Sequence, residues 1–418
     1  MKDSRKRKAP IFIGIAALTL LVVATPASCY FADFQKEMQF EEQLRLAKSE
    51  GIPTTPAEFI ATLPRIKPEE NAANEYLKLP RQSPKVIDSI STLQKDLIDY
   101  PTPDRIAAVE KALLELKPWL DPIDRAVHYP HCSIEKDYSH GMCVVIFPEY
   151  TSIKYAAKAK CLRATLLASQ GKEKEAIREI ESLNVIRTHL FEQPNDLAPI
   201  VGYAVDGIAM NLLMNLSLKY PRRIAYREAI RTAAEDKSKP DKLFASKHRL
   251  FDAISTIKLC ETREGLAEFG ITGDAAKPDS NLITAIQPKS EARINLVKAY
   301  RDLFREINGL NRHDKIDKIE FAIMQAMISF PNAAMIYEGL DMGVSPTVWF
   351  DNKPILRRNF LTAFLRATET FPYRTSIKTD DLISPSDGKP LVYKFDGKQM
   401  TFEWQEADGE PRSISFPQ

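Results

Sequence analysis

The stretch from His128 to Cys143 reads HYPHCSIEKDYSHGMC and holds three of the chain's six histidines and two of its five cysteines. Two chemistries use such residues. Zinc takes four soft or borderline ligands, and His128, His131, Cys132, His140 and Cys143 offer five at spacings a short loop can wrap. A metal held there would make the chain a metal-dependent hydrolase. Against this, the adjacent His131 and Cys132 should point apart, and neither a Cys-x-x-Cys nor a His-x-x-x-His frame is present. A disulfide between Cys132 and Cys143 asks for less. It needs two Cα atoms within about 7 Å, and Pro130 and Gly141 let the loop bend. In the chain-entropy model such a bridge is worth about 3 kcal/mol. A third reading leaves the thiols unpaired and the histidines on the surface. Of the two special readings the disulfide is preferred, with His128, His131 and His140 as weak metal candidates and no cofactor expected.

Other catalytic signatures are missing. The sequence has no phosphate-cradling glycine loop, no His-Glu-x-x-His and no Gly-x-Ser-x-Gly. Ser255 and Lys258 share the spacing of a penicillin-recognising nucleophile and its lysine but lack the accompanying motifs. The run DKIDKIE at 314–320 alternates in sign, which marks a solvated helix face. No catalytic residue is assigned.

The elements that carry the loop are mostly helical. Capped starts at Thr55-Pro56 and Thr102-Pro103 open short helices, the first with Glu58 placed to complete a capping box. Trp119 follows the second helix as an apolar plug. Residues 152–218 form the strongest helical block, broken at Gly171. Its first part, 152–187, resembles one tetratricopeptide-type helix pair, with Ala164 and Ala176 where two helices approach closely, but no tandem copy follows. The segment 199–218 is nearly apolar for twenty residues, yet Asp206, Asn211 and Asn215 assign it to a protein core and not to lipid. Cys161 and Cys260 read as small buried apolar residues. Further helices are expected over 243–266, 293–309 and 314–329. After Pro385 three Asp-Gly pairs punctuate β-prone runs and predict a small antiparallel meander of 391–395, 400–405 and 412–416. Its Val392, Phe402, Trp404 and Phe416 must pack on the helical body, because three short strands cannot bury them.

Charge and targeting complete the picture. The chain of 418 residues carries 58 basic and 56 acidic side chains, and the first 34 residues take five of the basic ones against Asp3 and Asp33. The remainder is therefore nearly neutral, which excludes a broad nucleic-acid footprint. After the basic cluster KDSRKRK, the run Ala9–Ala32 has no ionisable group except the Cys29 thiol. As a helix it spans about 36 Å, enough for a bilayer core of about 30 Å. The basic side stays cytoplasmic and the body is exported. An uncleaved signal anchor is the preferred reading, ahead of cleavage after Ala27 or acylation at Cys29.

ENAANEYLKL at 70–79, the block Leu162–Arg187 and the closing DGKPLVYKFDG together resemble a group of membrane-anchored helical proteins of planctomycete-type bacteria. The closing piece also resembles the C-terminal tail of type II secretion pseudopilins, although the cleaved leader and helix glutamate of that family are absent. The resemblance implies an anchored, exported protein and supplies no activity. The expected fold class is mainly α: an N-terminal transmembrane helix (1–34), an irregular α-helical bundle with the tetratricopeptide-like hairpin (35–384) and a small C-terminal antiparallel β-meander (385–418). The expected role is a single-pass, membrane-tethered binding or scaffolding protein of the cell envelope. Its partners would be the membrane, through the N-terminal helix, and a further protein.

Overall fold

The structure is a computed structural model that describes residues 34–139, 141, 145–241, 248–255, 290–308, 346–369, 374–385, 388–405 and 411–417. The apolar run at 9–32, His140, Cys143, Lys258, Cys260 and the 314–320 run lie outside the described residues. The described chain is mainly helical with one three-stranded antiparallel sheet.

The first described helix, α1 (34–49), is part of a folded core. Phe40 and Ala47 on its inner face are buried among residues of α11 (248–255) and α12 (Ser290–Asn308), including Phe251's neighbours Leu250 and Ala253 and the α12 pair Ile294 and Val297. Glu50 extends the same contact through ion pairs to Arg301 and Arg305. α2 (Pro56–Thr62) starts as expected, with Thr55 Oγ1 accepting from the Glu58 amide at 3.3 Å. The capping box, however, is displaced by one residue. Glu58 reaches back to the amide and hydroxyl of Thr54, at 3.0 and 2.9 Å, while Lys48 of α1 closes on its other oxygen at 2.5 Å. Burial alone would raise the Glu58 carboxyl, but Lys48 and the Thr54 donors outweigh it and hold its pKa at about 2.

After the short α3 (Ala73–Tyr76), helices α4 (Ile90–Asp99) and α5 (Pro103–Glu115) pack Leu97, Val109 and Leu116 on the outer face of the next long helix. Trp119 is not beyond the helices but inside α6 (Lys117–Ala126), which the sequence reading missed because Pro118 and Pro122 look like breakers. Pro118 sits at the start of the helix, where an amide would have no partner, so only Pro122 removes a hydrogen bond. Trp119 is buried, as a plug should be.

The centre is a layer of α7 (Pro148–Ser169), α8 (Glu173–Phe191), α9 (Leu197–Lys219) and α10 (Ile224–Glu235). Gly171, at φ 76°, makes the left-handed turn between α7 and α8, and Ala164, Ala168 and Ala176 are fully buried on the two arms. α7 and α8 thus form a helical hairpin. α9 is long and apolar enough to cross a membrane, and most of that apolar stretch is buried inside the fold.

The second missed helix, α13 (Pro346–Ala367), carries Pro354 in its interior. It is the platform for the sheet. β1 (Val392–Phe395), β2 (Gln399–Gln405) and β3 (Pro411–Pro417) form the expected meander, with Gly397 at φ 89° in the first hairpin. Phe360 and Phe364 of α13 meet Phe402, Trp404 and Phe416 at ring distances of 5.4 to 6.3 Å. Burying each such side chain contributes about 1.5–3 kcal/mol. Val392 does not join them. It is 47% exposed, because the register sets Tyr393 against Phe402 and Phe395 against Met400, so the period-2 alternation turns Val392 outward. The Asp396-to-Gln399 backbone bond fixes which groups of each strand face a neighbour, and by that parity Pro411 and Pro417 stand at positions of β3 that face away from β2. Having no N–H there, they blunt the outer edge of the sheet against further pairing.

Candidate functional site

Residues 131–134 of the histidine-rich loop are held by side chains acting as a substitute strand. Asn71 accepts from the Ser133 amide at 2.9 Å and donates to its carbonyl at 3.1 Å. The Ala72 amide donates to the His131 carbonyl at 2.9 Å. From the other side, beyond the end of α8, Glu192 accepts from the Cys132 amide at 2.7 Å, and Gln193 accepts from Ile134 and donates to the Cys132 carbonyl at 2.7 Å. Residues 131–134 are therefore bonded on both edges, alternately to the 70–72 segment and to the helix end. Below them His189 is buried, with Nδ1 2.7 Å from the Tyr76 hydroxyl and Nε2 3.0 Å from the Tyr129 carbonyl. Burial pushes its pKa down, only partly offset by the Tyr129 carbonyl.

The candidate ligands separate. His131 is exposed with Nδ1 3.1 Å from Glu192, whereas Cys132 is buried, so neighbours in sequence do point apart. Burial pushes the Cys132 thiol well up, away from the thiolate that nucleophilic or metal chemistry requires. His128 is exposed, and among the described residues no three His, Cys, Asp or Glu side chains converge. His140 and Cys143 lie outside the described residues, and the proposed bridge with them. Cys161 is buried, as an apolar cysteine should be. Ser255, the other nucleophile considered, lies against Gly141, where a Cβ would come within 2.4 Å of its own Cβ.

A second constellation lies in the helical core. Arg187 of α8 donates to Asp206 of α9 at 2.7 Å and pairs with Asp236 after α10, while Arg357 of α13 clasps Asp206 through Nε at 2.6 Å and Nη2 at 3.0 Å. Arg187 and Asp206 keep only 3% and 7% of their side-chain surface, so two positive and two negative charges are balanced away from water. Burial would raise Asp236, but the Ser238 donors and Arg187 hold its pKa at about 2.

Beside this network α8, α9 and α10 leave a cleft of about 150 Å³. Its apolar side is formed by Ile180, Met210, Leu213 and Ala233. Its polar side is formed by Glu181, Asn184 and Thr232, with Asp236 at the end next to Arg187. The Asn184 Oδ1 atom is buried without a hydrogen-bond partner, as is Arg187 Nε. Glu181 and Thr232 are exposed at the mouth and make no side-chain hydrogen bond or ion pair among the described residues. An apolar cavity with a few convergent polar groups, one of them a buried acceptor without a partner, has the make-up of a small-molecule site.

Sequence reasoning missed this cleft. The available signal was Asp206, an ionisable group in an otherwise apolar helix, which implies a buried partner. No family model matches the chain, and no curated protein or solved structure matches it.

Proposed function

We propose that the chain is a membrane-tethered, extracytoplasmic binding or scaffolding protein of the cell envelope, and that the α8–α9–α10 cleft is where it binds. The observation that carries the binding role is the buried, unpartnered Asn184 Oδ1 beside the exposed Glu181 and Thr232, facing an apolar floor. The tether rests on the basic cluster before the apolar run of spanning length. Family likeness to anchored planctomycete-type proteins and the tetratricopeptide kinship of the α7–α8 hairpin belong to the same proposal. The alternative, a metal-dependent hydrolase built on 128–143, draws less support, because His131 engages Glu192 and Cys132 faces the core.

Protease accessibility in bacterial cells tests the placement. Spheroplasts expressing the full chain with a C-terminal tag should lose the tag to added protease while the tag stays with the membrane fraction without protease. A tag that is protected until the spheroplasts are lysed, or that fractionates with the cytoplasm, would contradict it.

A further inference from the structure

We propose that the α8–α9–α10 cleft takes a small primary ammonium carrying a short apolar tail. The inference deepens the binding role above and rests on it. The cleft offers acceptors: the Glu181 carboxylate and the Thr232 hydroxyl, both exposed at the mouth, and the buried, unpartnered Asn184 Oδ1 further in. An ammonium group presents three donors and no acceptor, which matches the Glu181 carboxylate and the Asn184 Oδ1 atom. The charge balance agrees. Arg187 and Arg357 are matched by Asp206 and Asp236, with both Asp236 oxygens engaged by Arg187 and Ser238, so within the cleft's lining Glu181 carries the charge that has no partner among the described residues. An anion would face an unbalanced carboxylate there; a cation restores neutrality. The tail lies on Ile180, Met210 and Leu213. A volume of about 150 Å³ fits it, since an apolar cavity of about that size accommodates benzene, a molecule of about six heavy atoms.

Titration calorimetry on the full chain in detergent micelles tests this with three probes of matched length: n-pentylammonium, 1-pentanol and pentanoate, each corrected by a titration into empty micelles. The expected result is saturable binding of pentylammonium, weaker binding of pentanol and none of pentanoate. Glu181→Gln, a change at an exposed position, should weaken pentylammonium by at least about tenfold, the scale of a lost charge-assisted hydrogen bond. Ala229→Leu, on the half-buried α10 wall of the cleft, should abolish binding while the melting temperature holds. Equal affinity for pentanol and pentylammonium, or no effect of Glu181→Gln, overturns the ammonium assignment and leaves a binding cleft. Binding that survives Ala229→Leu places the ligand elsewhere, and saturable binding by none of the probes removes the binding role with the inference.

Discussion

Asn71, Glu192 and Gln193 show how few side chains fix a loop that carries no regular structure. Each supplies hydrogen bonds to buried or half-buried backbone of residues 131–134, so removing one strands groups that water cannot reach. Gln193→Leu should cost about 2–3 kcal/mol, measured by urea unfolding, whereas His131→Ala, on an exposed ring, should stay within about 0.5 kcal/mol. A second prediction concerns His189. Its folded pKa lies below the unfolded value of about 6.5, so the unfolded chain binds the extra proton first. Its contribution is therefore complete above about pH 6.5 and is lost as pH falls through the depressed folded pKa. The Tyr76 and Tyr129 contacts face this ring, with Glu192 and His131 nearby. Melting temperatures between pH 7 and 5 should fall in the wild-type chain and fall less in His189→Gln. Glu58 and Asp236, with pKa values of about 2, titrate at lower pH and do not blur this window. At this scale the sequence was only half legible. The divergence of His131 and Cys132 followed from backbone geometry alone, but their holders lie about sixty residues away on either side, and nothing local marks a long-range hydrogen bond.

Elements were easier to read where a single rule decides them. The strong apolar periodicity of 152–218 and the turn at Gly171 predicted α7 to α9, and the Asp-Gly pairs predicted the meander. α6 and α13 were lost because proline was read as a stop, yet Pro122 and Pro354 sit inside helices whose packing outweighs one missing hydrogen bond. Val392 was assigned inward from its residue type, and the register overruled it. ENAANEYLKL, read as a mark of kinship, has a physical role: Asn71 staples the loop, Glu75 is buried between Lys78 and Arg125, and Tyr76 meets His189. The sheet's dependence on α13 gives a third prediction. Deleting 386–418 should lower the melting temperature of the remaining body, and Phe402→Ala alone should cost about 3–5 kcal/mol, because the aromatic cluster with Phe360 and Phe416 would be left with a cavity. An unchanged melting curve for the truncated chain would show the tail to be independent.

Across the whole molecule, charge pairs join helices that the apolar core alone would leave free to slide. Arg187, Asp206, Asp236 and Arg357 link α8, α9, α10 and α13 at one point, next to the cleft. Removing the shared carboxylate leaves two buried guanidinium groups short of a partner, so Asp206→Ala should cost about 3–5 kcal/mol and loosen the cleft with it. The lesson for function is one of separation: residues 131–134 of the histidine-rich loop are held by structural hydrogen bonds, and the unpartnered Asn184 Oδ1 of the cleft sits some fifty residues further along the chain. The most direct test sets the two sites side by side, titrating pentylammonium into full-length Glu181→Gln and full-length His131→Ala. The account predicts that Glu181→Gln weakens binding by at least about tenfold while His131→Ala binds as the unaltered chain does. Loss of binding in His131→Ala with Glu181→Gln unaffected would contradict it.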